Sequence, residues 1–384
     1  MIMAILVDSP PLFYMVTAVI ATLGAAAIQA YLAVRYLRFE RTAPPAAQVG
    51  EPVTVEITVW SERRIMRPLV TVIDGLPREL VAKGVRPSLP VAPSFDQPIQ
   101  SRYTFKPMRR GRYKWSALKI KGTDALGLVT RERVYDTDEV NLTVYPAPIP
   151  VSIEITPMAG YGASDLETGR ARGAGLEPRG IREYASGDPL RYVHWPSSAR
   201  STKLMVKEFE TGTGVHLNFI IQRTTGTEIS SASSSSLEAM CGHALYLAEK
   251  YMQLGATVMF PTNEDPMAAV DHPEARIRDI REILTDISAS ELTRISDELI
   301  EARKHLVSGA TVAIFVGAQD EALPPAILSM QDMHVICLIY DLNEYAAGAR
   351  LPSDVKPASE TEYLAQLESA GAEVVMMPMV TELK

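Results

Sequence analysis

The sequence predicts a multi-domain chain: a single transmembrane helix, then an antiparallel, immunoglobulin-like β-sandwich, then a doubly wound α/β domain. Three observations predict it. Residues 12–34 run without a charge, residues 40–148 alternate apolar and polar side chains with a period of two, and residues 211–384 alternate buried-looking strands with helices. With 384 residues, 47% of them hydrophobic and 22% charged, the chain has material for two or three globular units.

The uncharged run from Leu12 to Val34, "LFYMVTAVIATLGAAAIQAYLAV", reaches roughly 34 Å as a helix, enough to cross a bilayer. Residues 1–39 therefore read as a membrane anchor. A cleaved signal peptide is the competing reading, since "AAAIQA" offers small residues. Signal peptides open on a basic region, however, and Met1 to Pro11 carries only Asp8. Arg35, Arg38 and Arg41 follow the span and no Lys or Arg precedes it, so the positive-inside bias places the remainder in the cytoplasm. Charge along the chain agrees. Residues 35–135 hold 19 Lys and Arg against 9 Asp and Glu, a net of +10, whereas residues 211–384 hold 11 against 25, a net of −14. A basic unit beside an anionic leaflet is favoured, and an acidic one beyond a Debye length is not penalised.

"RTAPPAAQVGEP" reads as a linker out of the anchor. "PVTVEITVW" then sets Val53, Val55, Ile57 and Val59 against Thr54, Glu56 and Thr58, a strand with one buried face. "LVTVIDGLP", "SRYTFKP", "GRYKWSALKIKG" and "EVNLTVYP" continue the pattern between Pro and Gly turns, giving a sandwich over 40–148. The cluster "RRGRYK" is a solvated or lipid-facing edge rather than a nucleic-acid site.

In residues 211–384, "VHLNFII", "ATVMFP", "TVAIFVG", "HVICLIYD" and "AEVVMMP" read as strands. "SSSSLEAMCGHALYLAEKYMQLG", "RIRDIREILTDI", "ELTRISDELIEARKHLVSG" and "ETEYLAQLESAG" read as helices. Ser235 and Glu238 form a capping-box signature and Gly255 ends that helix. The two cysteines, Cys241 and Cys337, lie in separate apolar runs and suit a reducing compartment.

The segment joining the domains, residues 149–210, contains "RGIREYASGDPLRYVHWPSSARSTKLMVKEFE". Ser197, Ser198 and His194 would suit acyl transfer, yet no Gly-x-Ser-x-Gly elbow surrounds them. Asp188 and His194 are metal-ligand types, but the six histidines are scattered and no His-Glu-x-x-His occurs. No phosphate-binding glycine motif is present, so any ATP hydrolysis belongs to a partner. What remains is charge alternating with aromatics: Arg182, Arg191 and Arg200 with Tyr184, Tyr192, Trp195 and Phe209, the mix enriched at interaction hot spots. A structural clasp between the two domains, with Asp188 capping a turn and Trp195 in a core, is the alternative, and both roles are compatible.

This motif resembles the bacterial domain-of-unknown-function 58 family in the spacing of Arg182, Tyr184, Gly187, Asp188, Arg191, Trp195, Ala199, Arg200, Lys207 and Glu210. "YTFKPMRRGRYKWSALKIKGTDALGLVTRERV" resembles it more loosely: Asp124 and Gly127 match the family's Asp-Pro-Phe-Gly-Leu turn, with Leu126 in the aromatic position. The resemblance implies a membrane-anchored partner of MoxR-type AAA+ ATPases with a von Willebrand factor A-like C-terminal domain. Many relatives carry two membrane helices, against one span here. The fold it implies holds a divalent cation in an Asp-x-Ser-x-Ser loop after the first α/β strand. Gln222, Thr224 and Gly226 stand at those positions, beside Arg223, and the cation site reads as lost.

The expectation is a non-enzymatic, single-pass inner-membrane adaptor or scaffold, facing the cytoplasm. It needs no cofactor or metal and does not bind nucleic acid. Its partners are the bilayer, a MoxR-type ATPase and a membrane-associated client. The interaction or clasp residues are Arg182, Tyr184, Gly187, Asp188, Arg191, His194, Trp195, Arg200, Lys207 and Glu210. An extracytoplasmic adhesin-like binding protein and a hydrolase using His194 are the alternatives.

Overall fold

Long, uncharged and free of interior proline, residues Pro10–Ala33 form helix α1, the one described helix long and apolar enough to cross a membrane. The computed structural model describes the chain apart from residues 1–9, 66, 68, 81–86, 96, 156–177, 184–194, 199–202, 210–215, 231–234, 264–272, 307–308 and 381–384; for 178–183, 195–196, 206–209 and 273 it describes backbone alone. The chain divides into two units, Met1–Ala147 and Pro148–Glu382.

In the first unit α1 exposes Leu12, Phe13, Tyr14, Met15, Val19, Ile20, Leu23, Ile28 and Tyr31 while burying Ala26, Ala30 and Ala33. Those alanines recur at spacings of four and three and so share one face of the helix. Strands β1 (Leu37–Thr42), β2 (Ala46–Gln48), β3 (Val53–Ser61), β4 (Val70–Asp74), β5 (Ser88–Val91), β6 (Ile99–Phe105), β7 (Gly111–Thr123) and β8 (Thr130–Tyr145) follow. They form two sheets, ordered β1-β3-β6 and β2-β8-β7-β4-β5. The period of two does what the sequence requires of it. Val53, Val55, Ile57 and Val59 of β3, Val70 and Val72 of β4, Leu118 and Ile120 of β7, and Leu142 and Val144 of β8 turn inward into one apolar cluster.

Three expectations are corrected here. The stretch 41–52 is not simply a linker: its first two residues end β1, which pairs in full register with β3 from Leu37 opposite Ser61 to Thr42 opposite Glu56, and Ala46–Gln48 forms β2. The second sheet is mixed, since β2 runs parallel to β8. Arg41 is not a free charge flanking the span. Its guanidinium has no solvent exposure and bonds Asp74 Oδ1 at 2.7 Å, the Trp115 carbonyl at 3.0 Å and Thr137 Oγ1 at 2.9 Å. Tyr103 donates to the other Asp74 oxygen at 2.6 Å. Burial and the Asp74 carboxylate push the Tyr103 hydroxyl far above its ordinary value.

The end of α1 is fixed to the strands behind it. Arg67 donates to the carbonyls of Arg35 (2.5 Å) and Ala33 (3.4 Å), and Tyr135 to that of Val34 (2.8 Å), satisfying acceptors that a helix C-terminus leaves open. Gly122 lets β7 approach, since a Cβ there would lie 2.8 Å from Val34 and 3.0 Å from Ala33.

The second unit carries a two-stranded antiparallel ribbon, β9 (Pro178–Glu183) with β10 (Met205–Phe209), and between them the short helix α2 (Trp195–Ser198). A doubly wound domain follows: β11 (His216–Ile221), α3 (Ser236–Gln253), β12 (Thr257–Met259), α4 (Pro273–Asp286), α5 (Ile295–Arg303), β13 (Thr311–Val316), α6 (Leu323–Leu328), β14 (His334–Ile339), α7 (Leu342–Tyr345), α8 (Thr361–Ser369) and β15 (Glu373–Met376). The sheet is parallel throughout and ordered β12-β11-β13-β14-β15. Alternate residues of its strands feed two cores. Phe219, Phe315 and Leu338 pack with α3 and α4 on one face; Ile220, Ile314 and Ile339 pack with α5, α6 and α8 on the other. Cys241 and Cys337 fall into opposite cores, both buried and unbridged. Ser235 caps α3, its hydroxyl accepting from the Glu238 amide and donating to Glu228. The helix expected from Glu291 begins only at Ile295, because Glu291 bridges to Thr224 in extended conformation. Helices α6 and α7 were not expected; at six and four residues they are too short to display an apolar period.

His243 of α3 is fully buried, with Nδ1 2.9 Å from the Tyr340 hydroxyl, and burial pushes its pKa down to about 4. An unfolded histidine titrates near about 6.5, so below that pH the unfolded chain takes up the proton first. The stability this neutral imidazole contributes is complete above about pH 6.5 and is lost as the pH falls through about 4, a swing of about 3 kcal/mol. Urea denaturation of the detergent-solubilised chain at about pH 7.5 and about pH 4.5 should show a steeper decline in the wild type than in His243→Gln.

Candidate functional site

The order β12-β11-β13-β14-β15 reverses between β11 and β13, and in open parallel sheets ligands bind in the crevice beyond the strand ends at such a reversal. A cleft of ≈ 480 Å³ lies there, lined among others by Gln222, Thr224, Asp320, Glu321, Asp354 and Lys356. The loop singled out in the sequence thus occupies the position in this fold where chemistry is most often placed.

Gln222, only 4% exposed, follows β11 directly. Its Oε1 accepts from the amides of Gly317 and Ala318, both at 2.9 Å, and its Nε2 donates to the Ala318 carbonyl at 3.0 Å. Its backbone amide also bonds the Phe315 carbonyl at 3.0 Å. The carboxamide therefore bridges the ends of the two central strands. Gly317 leaves the space that Leu342 fills, since a Cβ there would meet Leu342 Cδ2 at 2.8 Å.

The remaining loop residues point their bonding groups away from any shared centre. Thr224 donates to the Thr293 carbonyl (3.0 Å), Thr225 to that of Glu291 (3.0 Å), and Gly226 has no side chain to offer. Arg223 pairs with Glu298 (3.0 Å) and Glu291 (3.4 Å). Burial raises the Glu298 carboxyl above its usual range, against the pull of Arg223, and its Oε2 is buried without a partner. A hard divalent cation needs several convergent oxygens with carboxylate charge. Gln222 Oε1 already accepts two amides, and Arg223 adds positive charge, so the donor set at 222, 224 and 226 does not fit one. Among the described residues no group of three or more His, Cys, Asp or Glu side chains is placed to hold a metal.

The opposite wall went unnoticed in the sequence. After β13, Asp320 is 8% exposed; its Oδ2 accepts from the Ser296 amide (3.0 Å) and its Oδ1 from that of Ala322 (3.0 Å), while its own backbone exchanges bonds with the Tyr363 hydroxyl. An acidic residue four positions past a buried apolar strand was the available signal. Asp354 and Lys356 enter from the connection before α8, which carries no motif.

Of the charged motif, the structure places Arg182 in β9 opposite Val206, Lys207 in β10 opposite Ile181, and Trp195 at the start of α2. Tyr184, Gly187, Asp188, Arg191, His194, Arg200 and Glu210 lie outside the described residues. Ser198 Oγ accepts from the Met205 amide at 2.8 Å and lies 3.2 Å from its carbonyl, tying α2 to the returning strand.

Replacing Gln222 by Ala would strand two buried amides and one buried carbonyl. Each unsatisfied group costs about 1–3 kcal/mol, so Gln222→Ala should lower stability by at least about 2 kcal/mol, read by urea denaturation of the full chain. Gln222→Glu, which keeps the acceptor and loses the donor, should fall between the two.

Comparison with known proteins locates a family across this region. The model of the family described as "Protein of unknown function DUF58" matches residues 180–323, from the β9 ribbon through β13. The uncharacterized protein YeaD of Bacillus subtilis (strain 168) is 25% identical over 196 residues, covering 48% of each chain, so the match spans about half the length of that relative. Among solved structures, the CARDB domain of the PF1109 protein of Pyrococcus furiosus aligns with 28% of this chain and 91% of its own at 14% identity and a TM-score of 0.18. The PKD domain of an M14-like peptidase from Thermoplasmatales archaeon SCGC AB-540-F20 aligns with 26% and 91% at 10% identity and a TM-score of 0.16; neither alignment carries an argument about fold. The family match over residues 180–323 and the distant likeness to YeaD both support the DUF58 family for this chain.

Proposed function

We propose that the chain is a non-enzymatic adaptor held in the inner membrane by α1, with an immunoglobulin-like sandwich and a metal-free von Willebrand factor A-like domain facing the cytoplasm. In this reading it presents a client to a MoxR-type AAA+ ATPase, which supplies the hydrolysis. The observation that carries the proposal is Gln222. At the crevice of a doubly wound sheet, the residue that would anchor a cation is a carboxamide already bonded to the backbone of Gly317 and Ala318. A loop built this way is rigid and offers no carboxylate of its own at 222, 224 or 226, so the cation-holding end of the fold is closed off by backbone bonds, with Asp320, Glu321 and Asp354 confined to the rest of the cleft wall. Such a surface suits recognition of another protein. The Arg and aromatic residues of the preceding motif supply the anchor types that dominate protein interfaces.

The orientation rests on the charges flanking α1. With Arg41 buried against Asp74, the bias comes from Arg35 and Arg38, and from the basic strands behind them. An alkaline phosphatase fused to the C-terminus should be inactive in the wild type, because that enzyme matures only outside the cytoplasm; strong activity would reverse the topology.

The partner is tested by pull-down with a MoxR-type ATPase from the same cell. Arg191→Ala or Arg200→Ala should weaken association by about 2 kcal/mol, roughly thirtyfold, with unchanged melting of the detergent-solubilised chain. Wild-type association in both variants would remove the motif from the interface, and a matched loss of melting temperature would make it a structural clasp instead.

A further inference from the structure

We propose that the β7–β8 hairpin tip, residues Asp124–Val129, is a second membrane contact that seats in the headgroup and upper acyl region of the bilayer beside α1. The inference rests on reading α1 as spanning that bilayer. It starts from two large apolar side chains left in the open: Leu126 is 66% exposed and Leu128 54%. Both lie in the loop that closes the hairpin, where solvent-facing turns ordinarily carry polar residues.

The position of the tip along α1 argues for lipid as its occupant. The Ala125 amide donates to Gln29 Oε1 at 3.0 Å, so the turn lies alongside Gln29, four residues before the helix ends at Ala33. At 1.5 Å per residue the tip stands about 6 Å back along the span. Gly122 against Ala33 and Val34, and the Tyr135 bond to the Val34 carbonyl, fix the hairpin at that depth. The level is that of a membrane boundary: Gln29 is the one amide side chain between Leu12 and Val34, and the Arg35 guanidinium stacks 4.2 Å over the Tyr31 ring. Tyrosine and arginine at a span's end mark the interface.

The chemistry of the turn matches the position. Polar backbone can enter this region only when its hydrogen bonds are met internally. Here Asp124 Oδ2 accepts from the Leu126 amide (2.9 Å) and Oδ1 from that of Val129 (2.6 Å); Asp124 N donates to the Val129 carbonyl (3.1 Å) and Gly127 N to that of Asp124 (3.1 Å). The amides of Asp124, Leu126, Gly127 and Val129 are met within the turn and that of Ala125 by Gln29, with the leucines on the outside. Behind it the strands expose Lys121, Arg131 and Arg133, while Lys119 and Glu132 neutralise each other at 2.5 Å. Two leucines at a tip with three cations behind them fit an anionic leaflet, the apolar groups reaching below the phosphates that the cations meet.

The test uses the full chain, whose native Cys241 and Cys337 are buried. Variants with one added cysteine, Leu126→Cys, Val19→Cys and Glu51→Cys, are labelled with nitrobenzoxadiazole and reconstituted in phosphatidylethanolamine–phosphatidylglycerol vesicles. Quenching by lipids with a nitroxide near the top of the acyl chain, for the label at 126, and near its end, for the label at 19, is then measured. Val19 reports the span itself. Glu51 precedes the end of β3 farthest from α1, because Ser61 at the other end pairs with Leu37. The expected result is a blue-shifted, quenched label at 126, a quenched label at 19 and a water-exposed label at 51. A label at 126 as exposed as that at 51, with 19 quenched, overturns the hairpin contact and leaves the anchor standing. An unquenched label at 19 overturns both. Emission at 126 that shifts only as the protein-to-lipid ratio rises assigns the tip to a second copy and also overturns the proposal.

Discussion

One guanidinium without access to water joins the two sheets of the N-terminal unit. Arg41 belongs to β1 of the first sheet, and its partners Asp74, Trp115 and Thr137 all belong to the second; Tyr103, from the first, returns to the same carboxylate. Removing one member of a buried pair leaves the other charged and uncompensated, typically costing about 3–5 kcal/mol, whereas an apolar pair of similar volume is often tolerated. The network thus acts as a specificity device: it fixes which strand of one sheet faces which strand of the other. It also fixes where β1 begins, only three residues after the end of α1, and so how closely the unit sits to whatever surrounds the helix.

Period was the legible part of the fold. The uncharged run, the alternation in β3 and the capped amphipathic α3 could be read directly, because each repeats a local rule over many residues. What was illegible lay where pairing decides conformation without help from periodicity. "LRFERT" resembles a charged flank, and only its register against β3 makes it a strand. "AAQ" is too short to declare itself and runs parallel to β8. Arg41 is instructive, because composition alone treats every arginine after a span as a topogenic charge. A partner 33 residues away removes this one from that role.

The crevice divides in the same manner. That Gln222 replaces a carboxylate can be read from the end of an apolar strand. That its amide is a bridge to Gly317 and Ala318, 95 and 96 residues away, cannot. The Asp320 wall carried only a weak signal, a lone carboxylate past β13, and the Asp354–Lys356 segment carried none. The charged motif shows the converse limit. Its residue types suggest an interface, and the structure contributes the β9–β10 frame that carries it, with Arg182 and Lys207 in known register.

The joint at the end of α1 has a mechanical consequence. Arg67 and Tyr135 hold the last carbonyls, Gln29 holds the hairpin, and Gly122 removes the slack between them, so the helix and the strand unit behind it turn as one lever. A helix longer than the hydrocarbon layer it crosses leans to fit, and its lean follows the thickness of that layer. With a flexible hinge the lean would end at the headgroups. If α1 crosses a bilayer, this welded corner turns the lean into a swing of the entire strand unit, so that lipid thickness would set the angle at which it is held.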